Sequence, residues 1–209
     1  MLLDLKRSLI FVAGVKTGST TVERIYEKQV DIRIVRSEWG KHDSIAEIRQ
    51  KYNWIFRVTP VEDFFVWGVI REPVDWLSSL YRSHKDPKFA STGNLYTGGM
   101  TFSEFYDVWR LKNSGQSAPQ INRFLDEKGE FAIDFLVPFE RLQEGIQAMA
   151  PRYGMTLSEI PHLNKSPVVD DCTSLNETII GAIHRDYRAD YEYYERASRN
   201  SSMAVDGWR

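Results

Sequence analysis

The chain has 209 residues, 42% hydrophobic and 27% charged, with 27 Lys and Arg against 29 Asp and Glu for a net charge of −2. These values exclude collagen-like, low-complexity and wholly disordered chains, and with no basic excess they argue against a general nucleic-acid binder. One cysteine, Cys172, allows no intrachain disulfide and no Cys-based zinc site. The longest apolar runs, Leu9 to Val15 with Gly14 inside it and Phe64 to Ile70, fall far short of the about 20 residues a spanning helix needs. The N-terminus lacks the long apolar core and cleavage site of a signal peptide. The expectation is one soluble, cytoplasmic domain over residues 1–209, with no membrane span and a tail frayed from about Ser198.

Ser8 to Val15 is a compact apolar run that predicts a buried strand. Thr20-Thr21-Val22-Glu23 reads as a capping box opening a helix whose stripe is Val22, Ile25 and Tyr26. Asp31 to Val35 alternates and predicts a second short strand. Ser44 and Glu47 cap a helix carrying Ile45, Ile48 and Tyr52. Phe64 to Ile70 is the best central strand, buried on both faces, and Pro73 then suits the first turn of a helix with Trp76, Leu77, Leu80 and Tyr81. Lys85 to Met100 holds Pro87, Gly93, Gly98 and Gly99 and reads as a long loop. Thr101 and Glu104 cap another helix, Ala132 to Val137 predicts a strand, and Leu142, Ile146 and Met149 mark a helix after it. Residues 154–173 read as irregular. Ser174 and Glu177 cap a final helix with Leu175, Ile179, Ile183, Tyr187 and Tyr191 repeating every fourth residue. Strands alternating with helices predict an α/β fold with a central, mainly parallel sheet covered on both faces.

Gly14-Val15-Lys16-Thr17-Gly18-Ser19-Thr20-Thr21 joins the first strand to the first helix. Glycines let backbone approach an anion, free N–H groups at a helix start point at it, and Lys16 adds a charge. The alternative is a tight turn with a surface lysine. The segment is not a Walker A loop, which places Lys after the second Gly. Arg71 directly follows the central strand, and Ser79 falls eight residues later on the next helix. Ligands of parallel sheets bind at the strands' carboxyl ends, so Arg71 and the glycine turn should share a rim. Lys41-His42 precedes the helix capped by Ser44, where an imidazole tends to stay neutral and able to accept a proton. His84 and His162 compete for that role, and His184 lies mid-helix.

Together these pieces resemble the PAPS (phosphoadenosine phosphosulfate)-dependent sulfotransferase family, particularly its carbohydrate-acting, Golgi-type and bacterial branch. Val15-Lys16-Thr17-Gly18-Ser19-Thr20 is similar to the family's P-K-T-G-S-T loop, and Arg71-Glu72-Pro73 with Ser79 to its R-[DN]-P…S element. Lys41-His42, Phe139-Glu140-Arg141-Leu142, Asn164-Lys165-Ser166 and Asp190-Tyr191 are similar to later elements. Two departures stand out: Val15 where Pro is usual, and Trp76 where the branch commonly has Arg.

The resemblance implies a P-loop NTPase-like three-layer fold. It implies Lys16 and His42 as catalytic residues, and Lys16, Thr17, Gly18, Ser19, Thr20, Thr21, Arg71 and Ser79 as the site for PAPS and its product PAP. No metal is implied. The acceptor would be a glycan or small-molecule hydroxyl or amine. A P-loop small-molecule kinase and a catalytically silent nucleotide- or glycan-binding protein of the same fold remain alternatives.

Overall fold

The computed structural model describes residues 1–157 and 176–199. Among the described residues one sheet forms from β1 (Leu2–Asp4), β2 (Leu9–Val12), β3 (Ile32–Arg33), β4 (Phe65–Ile70) and β5 (Phe135–Pro138), in the order β3-β1-β2-β4-β5. β2, β4 and β5 are parallel neighbours, while β1 is antiparallel to both β2 and β3. The sheet is therefore mixed rather than mainly parallel. The difference comes from β1, whose Leu2-Leu3 is too short a run to show a strand period. The turn that follows it places Ser8, not a glycine, at φ 51°, so the Asn-Gly or Asp-Gly signal of a tight hairpin is missing.

The direction of β3 survives this correction. Being antiparallel to β1, which is itself antiparallel to β2, β3 runs the same way as β2. The chain thus leaves β2, β3, β4 and β5 on a common rim.

The main helices are α1 (Ser19–Tyr26), α2 (Ile45–Lys51), α3 (Pro73–His84), α4 (residues 102–112), α5 (Leu142–Met149), α6 (Glu177–Asp186) and α7 (Arg188–Arg199). Strand alternation divides the core. Ile10, Val12, Val66 and Ile70 face Ile45 and Ile48 of α2, whereas Leu9, Phe11, Trp67 and Val69 face Val22 and Tyr26 of α1 and Ile146 and Met149 of α5. A third cluster away from the strands joins Trp76, Leu77 and Leu80 of α3 to Phe105 and Trp109 of α4 and Ile183 of α6. The stretch 85–100 carries short 3₁₀ turns and is pinned by the buried Thr97, whose hydroxyl donates to the Tyr81 carbonyl at 2.8 Å.

Two helix starts differ from expectation. α1 begins two residues early, capped by the left-handed Gly18 (φ 75°) with no side-chain cap. Glu23 is instead buried, paired with the Met1 amine at 3.1 Å and Lys41 at 2.9 Å. α6 is capped by Asn176, whose side chain accepts from the Ile179 N–H at 2.9 Å. Ser174 lies outside the described residues, and the expected single helix divides at Tyr187 into α6 and α7. The boxes at Ser44/Glu47 and Thr101/Glu104 form as expected, and Pro73 opens α3. No helix among the described residues is long and apolar enough to cross a membrane.

Candidate functional site

Residues 13–18 connect β2 to α1 across the common rim. Lys16 sits at φ 58° and Gly18 at φ 75°. Gly18 takes that left-handed conformation without penalty, but for Lys16 it costs about 1–3 kcal/mol, strain of the kind that gathers at functional sites. Close packing fixes the loop. A Cβ on Gly14 would stand 2.6 Å from Thr17 Oγ1, and one on Gly18 would stand 2.7 Å from Leu142 Cδ2 and 3.1 Å from the Phe139 ring.

The two residues that depart from the resembled family meet in this loop. Trp76 Nε1 on α3 donates to the Val15 carbonyl at 2.8 Å, and the Val15 side chain packs against the cluster holding Trp76. The helix after Arg71 thereby ties down the loop that carries Lys16.

Lys16 and Arg71 have no ion-pair partner among the described residues. Burial, followed by the positive charges of Arg71, Lys88 and Arg82, pushes the Lys16 ammonium below its ordinary value. Burial likewise lowers Arg71, against the opposing charges of Asp75, Glu140 and Glu72. The Arg71 guanidinium lies over the Phe139 ring at 4.4 Å, and that ring abuts Gly18. Two polar atoms here are buried with no partner, Thr17 Oγ1 and Arg71 Nε. Partly buried cations without a direct ion pair are costly, and an anion would satisfy them.

His42 stands beside the loop. Its Nδ1 is 2.8 Å from the Ala13 carbonyl. A carbonyl only accepts, so Nδ1 carries the proton and Nε2 the lone pair. Nε2 has no hydrogen-bond partner among the described residues. Burial pushes the imidazole down to about 4, with the charges of Arg123 and Lys41 adding to the effect and the Ala13 bond opposing it. His42 is therefore neutral at pH 7. Lys41, next to it in the sequence, is committed to Glu23 at 2.9 Å, with Thr20 Oγ1 at 3.5 Å.

A cleft of about 620 Å³ brings Lys16 and His42 together with Val15, Asp43, Glu47, His84, Lys88, Gln116 and Arg123 among its lining. Its carboxylates are already engaged: Asp43 by Lys51 at 2.9 and 2.8 Å, Glu47 by the Ser44 N–H and hydroxyl at 2.7 and 2.9 Å. Arg71 and Ser79 do not line this cleft. Ser79 is buried on α3, and no hydrogen bond joins it to Arg71. Of the remaining loop residues, Thr17, Ser19 and Thr21 are buried and Thr20 is exposed.

His84 also lines the cleft, but it is 5% exposed, bonded through Nδ1 to the Leu80 carbonyl at 2.9 Å and stacked on Phe89. His42 is less buried than His84. His162 lies outside the described residues, as does the segment Asn164-Lys165-Ser166.

Arg123 and Gln116 were not among the expected site residues. Arg123 follows the 3₁₀ start at Gln120, donates through Nη1 to the His42 carbonyl, and is pushed below its ordinary value by burial. No local pattern marks it. Among the described residues no group of three or more His, Cys, Asp or Glu side chains could hold a metal ion. No protein-family model, curated protein or solved structure matches this chain.

Two outcomes follow from this geometry. Because His42 has a folded pKa of about 4, below the ordinary 6.5, protonation favours the unfolded chain. Its contribution is full above about pH 6.5 and is lost as the pH falls toward 4, a difference on the order of 3 kcal/mol. Urea unfolding from pH 7 to 4 should show this loss in the native chain and a flatter profile in His42→Asn; identical profiles would contradict the assignment. Trp76→Phe, which removes the indole N–H together with part of a buried ring, should lower unfolding free energy by at least about 1–2 kcal/mol. Unchanged stability would mean that the bond to Val15 does not hold the loop.

Proposed function

We propose that this protein is a sulfotransferase that moves the sulfuryl group of PAPS to a hydroxyl or amine of a glycan or small metabolite, on a P-loop NTPase-like three-layer fold. The observation that carries this reading is the pair of partly buried cations, Lys16 and Arg71, without direct ion pairs on one sheet rim, with a neutral histidine beside the first. The donor's product has two phosphate groups, and the chain offers two separate cationic positions. The unpartnered Thr17 Oγ1 and Arg71 Nε are donors that such anions would engage.

In this reading Lys16 and the N–H groups at the start of α1 hold the 5′-phosphosulfate, with the hydroxyls of Thr17, Ser19, Thr20 and Thr21 around it and Gly18 giving the backbone room. Arg71, with Ser79, takes the 3′-phosphate through charge-assisted hydrogen bonds. When bound, PAPS supplies the sulfuryl group and a stable leaving phosphate. Lys16 counters the negative charge that builds on the leaving oxygen. His42 Nε2 receives the proton of the acceptor hydroxyl. Its Nδ1–H stays bonded to the Ala13 carbonyl, so the ring need not turn when it becomes charged. The pKa of about 4 makes His42 available as a base at neutral pH but a weak one, suited to a proton that leaves as the oxygen–sulfur bond forms.

The wild-type protein should release PAP from PAPS in the presence of an accepted hydroxyl compound. His42→Ala should lower that turnover by about 10²–10⁴-fold while PAP affinity, measured by calorimetry, stays within a few fold. Loss of PAP affinity in this variant would make His42 a donor-binding residue instead. Full turnover would remove it from the chemistry.

A further inference from the structure

Arg71 is held by a chain of buried polar groups that begins on α7. Asp190 is fully buried. Its two oxygens accept from the backbone N–H groups of Gln120 at 2.8 Å and Ile121 at 2.9 Å, which fixes the start of the 3₁₀ turn Gln120–Phe124. The Gln120 side chain, 5% exposed, then closes on the Arg71 peptide groups. Its Oε1 accepts from the Arg71 N–H at 3.1 Å, and its Nε2 donates to the Arg71 carbonyl at 2.8 Å.

This is the bonding a neighbouring strand would provide. β4 ends at Ile70, and the amide of Gln120 pairs with the backbone of the residue that follows. The next residue on α7 secures the next residue after Arg71. Tyr191 donates its hydroxyl to Glu72 Oε1 at 2.7 Å, while Glu72 Oε2 caps α3 at the Asp75 N–H at 2.7 Å. The backbone of Arg71 is thus fixed on both sides, while its guanidinium rests on Phe139 without an ion-pair partner among the described residues.

We propose that Gln120 and Asp190 are positioning residues that fix the Arg71 backbone so that its guanidinium is presented to the donor's 3′-phosphate. The identity of that phosphate rests on the sulfotransferase reading above; the clamp on Arg71 does not. Gln120 acts on Arg71 directly and Asp190 acts through Gln120. Neither is assigned a contact with the donor. A clamp of this kind keeps a long side chain from losing orientation, and outer partners of ligating groups commonly matter nearly as much as the groups themselves.

The test compares PAP, which carries both phosphates, with AMP, which lacks the 3′-phosphate. Binding of each is measured by calorimetry to the wild type, Arg71→Ala, Gln120→Ala and the double variant. Gln120→Ala should weaken PAP about tenfold, the lower end of what losing an outer partner costs at metal sites, and leave AMP within about twofold. In the Arg71→Ala background the same change should have no further effect on PAP. Asp190→Asn, which keeps one acceptor oxygen, should shift PAP affinity in the same direction and serves if Gln120→Ala does not fold. Equal weakening of PAP and AMP, unchanged PAP affinity, or a loss that persists without Arg71 would each overturn the proposal.

Nuclear magnetic relaxation of the Arg71 Nε–H separates the two inferences. The bond should be rigid in the wild type and mobile in Gln120→Ala, with or without ligand. If PAP fails to bind the wild type, or binds Arg71→Ala equally well, the donor assignment fails, and this relaxation measurement still decides the clamp. An Arg71 side chain equally rigid in both proteins would refute it.

Discussion

Two positive charges, Lys16 and Arg71, lie partly buried on one edge of the sheet with no direct ion-pair partner among the described residues. Water solvates them incompletely, and each raises the cost of the other. The parallel pairing of β2 with β4 brings them there: with Val12 opposite Gly68, the turn after β2 and the residue after Ile70 both emerge on the same rim. Everything around them resists relaxation. Trp76 holds the loop by its Val15 carbonyl, Phe139 fills the space between Gly18 and Arg71, and Gln120 holds the Arg71 backbone. A rim that leaves two cations without a direct ion pair is suited to an anion from outside.

His42 depends on the same loop. The carbonyl that receives its Nδ1–H belongs to Ala13, just after β2, so the loop that holds Lys16 also sets the tautomer of His42. The cleft's own acids do not disturb this arrangement, because Lys51 and the Ser44 cap already occupy them. The charge left open to a ligand is positive, although the whole chain carries a net −2. Local placement, rather than composition, decides what this surface attracts.

Much of the site's frame was legible because its signals are local. The apolar run before Gly14, the continuous run before Arg71, and Pro73 at a helix start each act within a few residues. The capping pattern shows where such reading stops. Ser44-x-x-Glu47 and Thr20-x-x-Glu23 look alike, yet only the first forms a box. At the second, the left-handed Gly18 takes over the cap and Glu23 turns inward to two cations from distant segments. The residues missed at the site are of this distant kind. Gln120 meets Arg71 across 49 positions and Arg123 meets His42 across 81. Neither sits in a pattern that marks its partner, and β1 escaped because three residues carry too little period.

The most direct measurement is thermal unfolding in the presence of EDTA with PAP or AMP, set beside ATP with Mg²⁺ in place of EDTA. A ligand at about 100 times its dissociation constant stabilises by about 2.7 kcal/mol, a readily visible shift. The account predicts a large shift with PAP, a smaller one with AMP, and no requirement for metal. A shift with ATP and Mg²⁺ but none with PAP would contradict it and turn the two cations toward phosphoryl transfer.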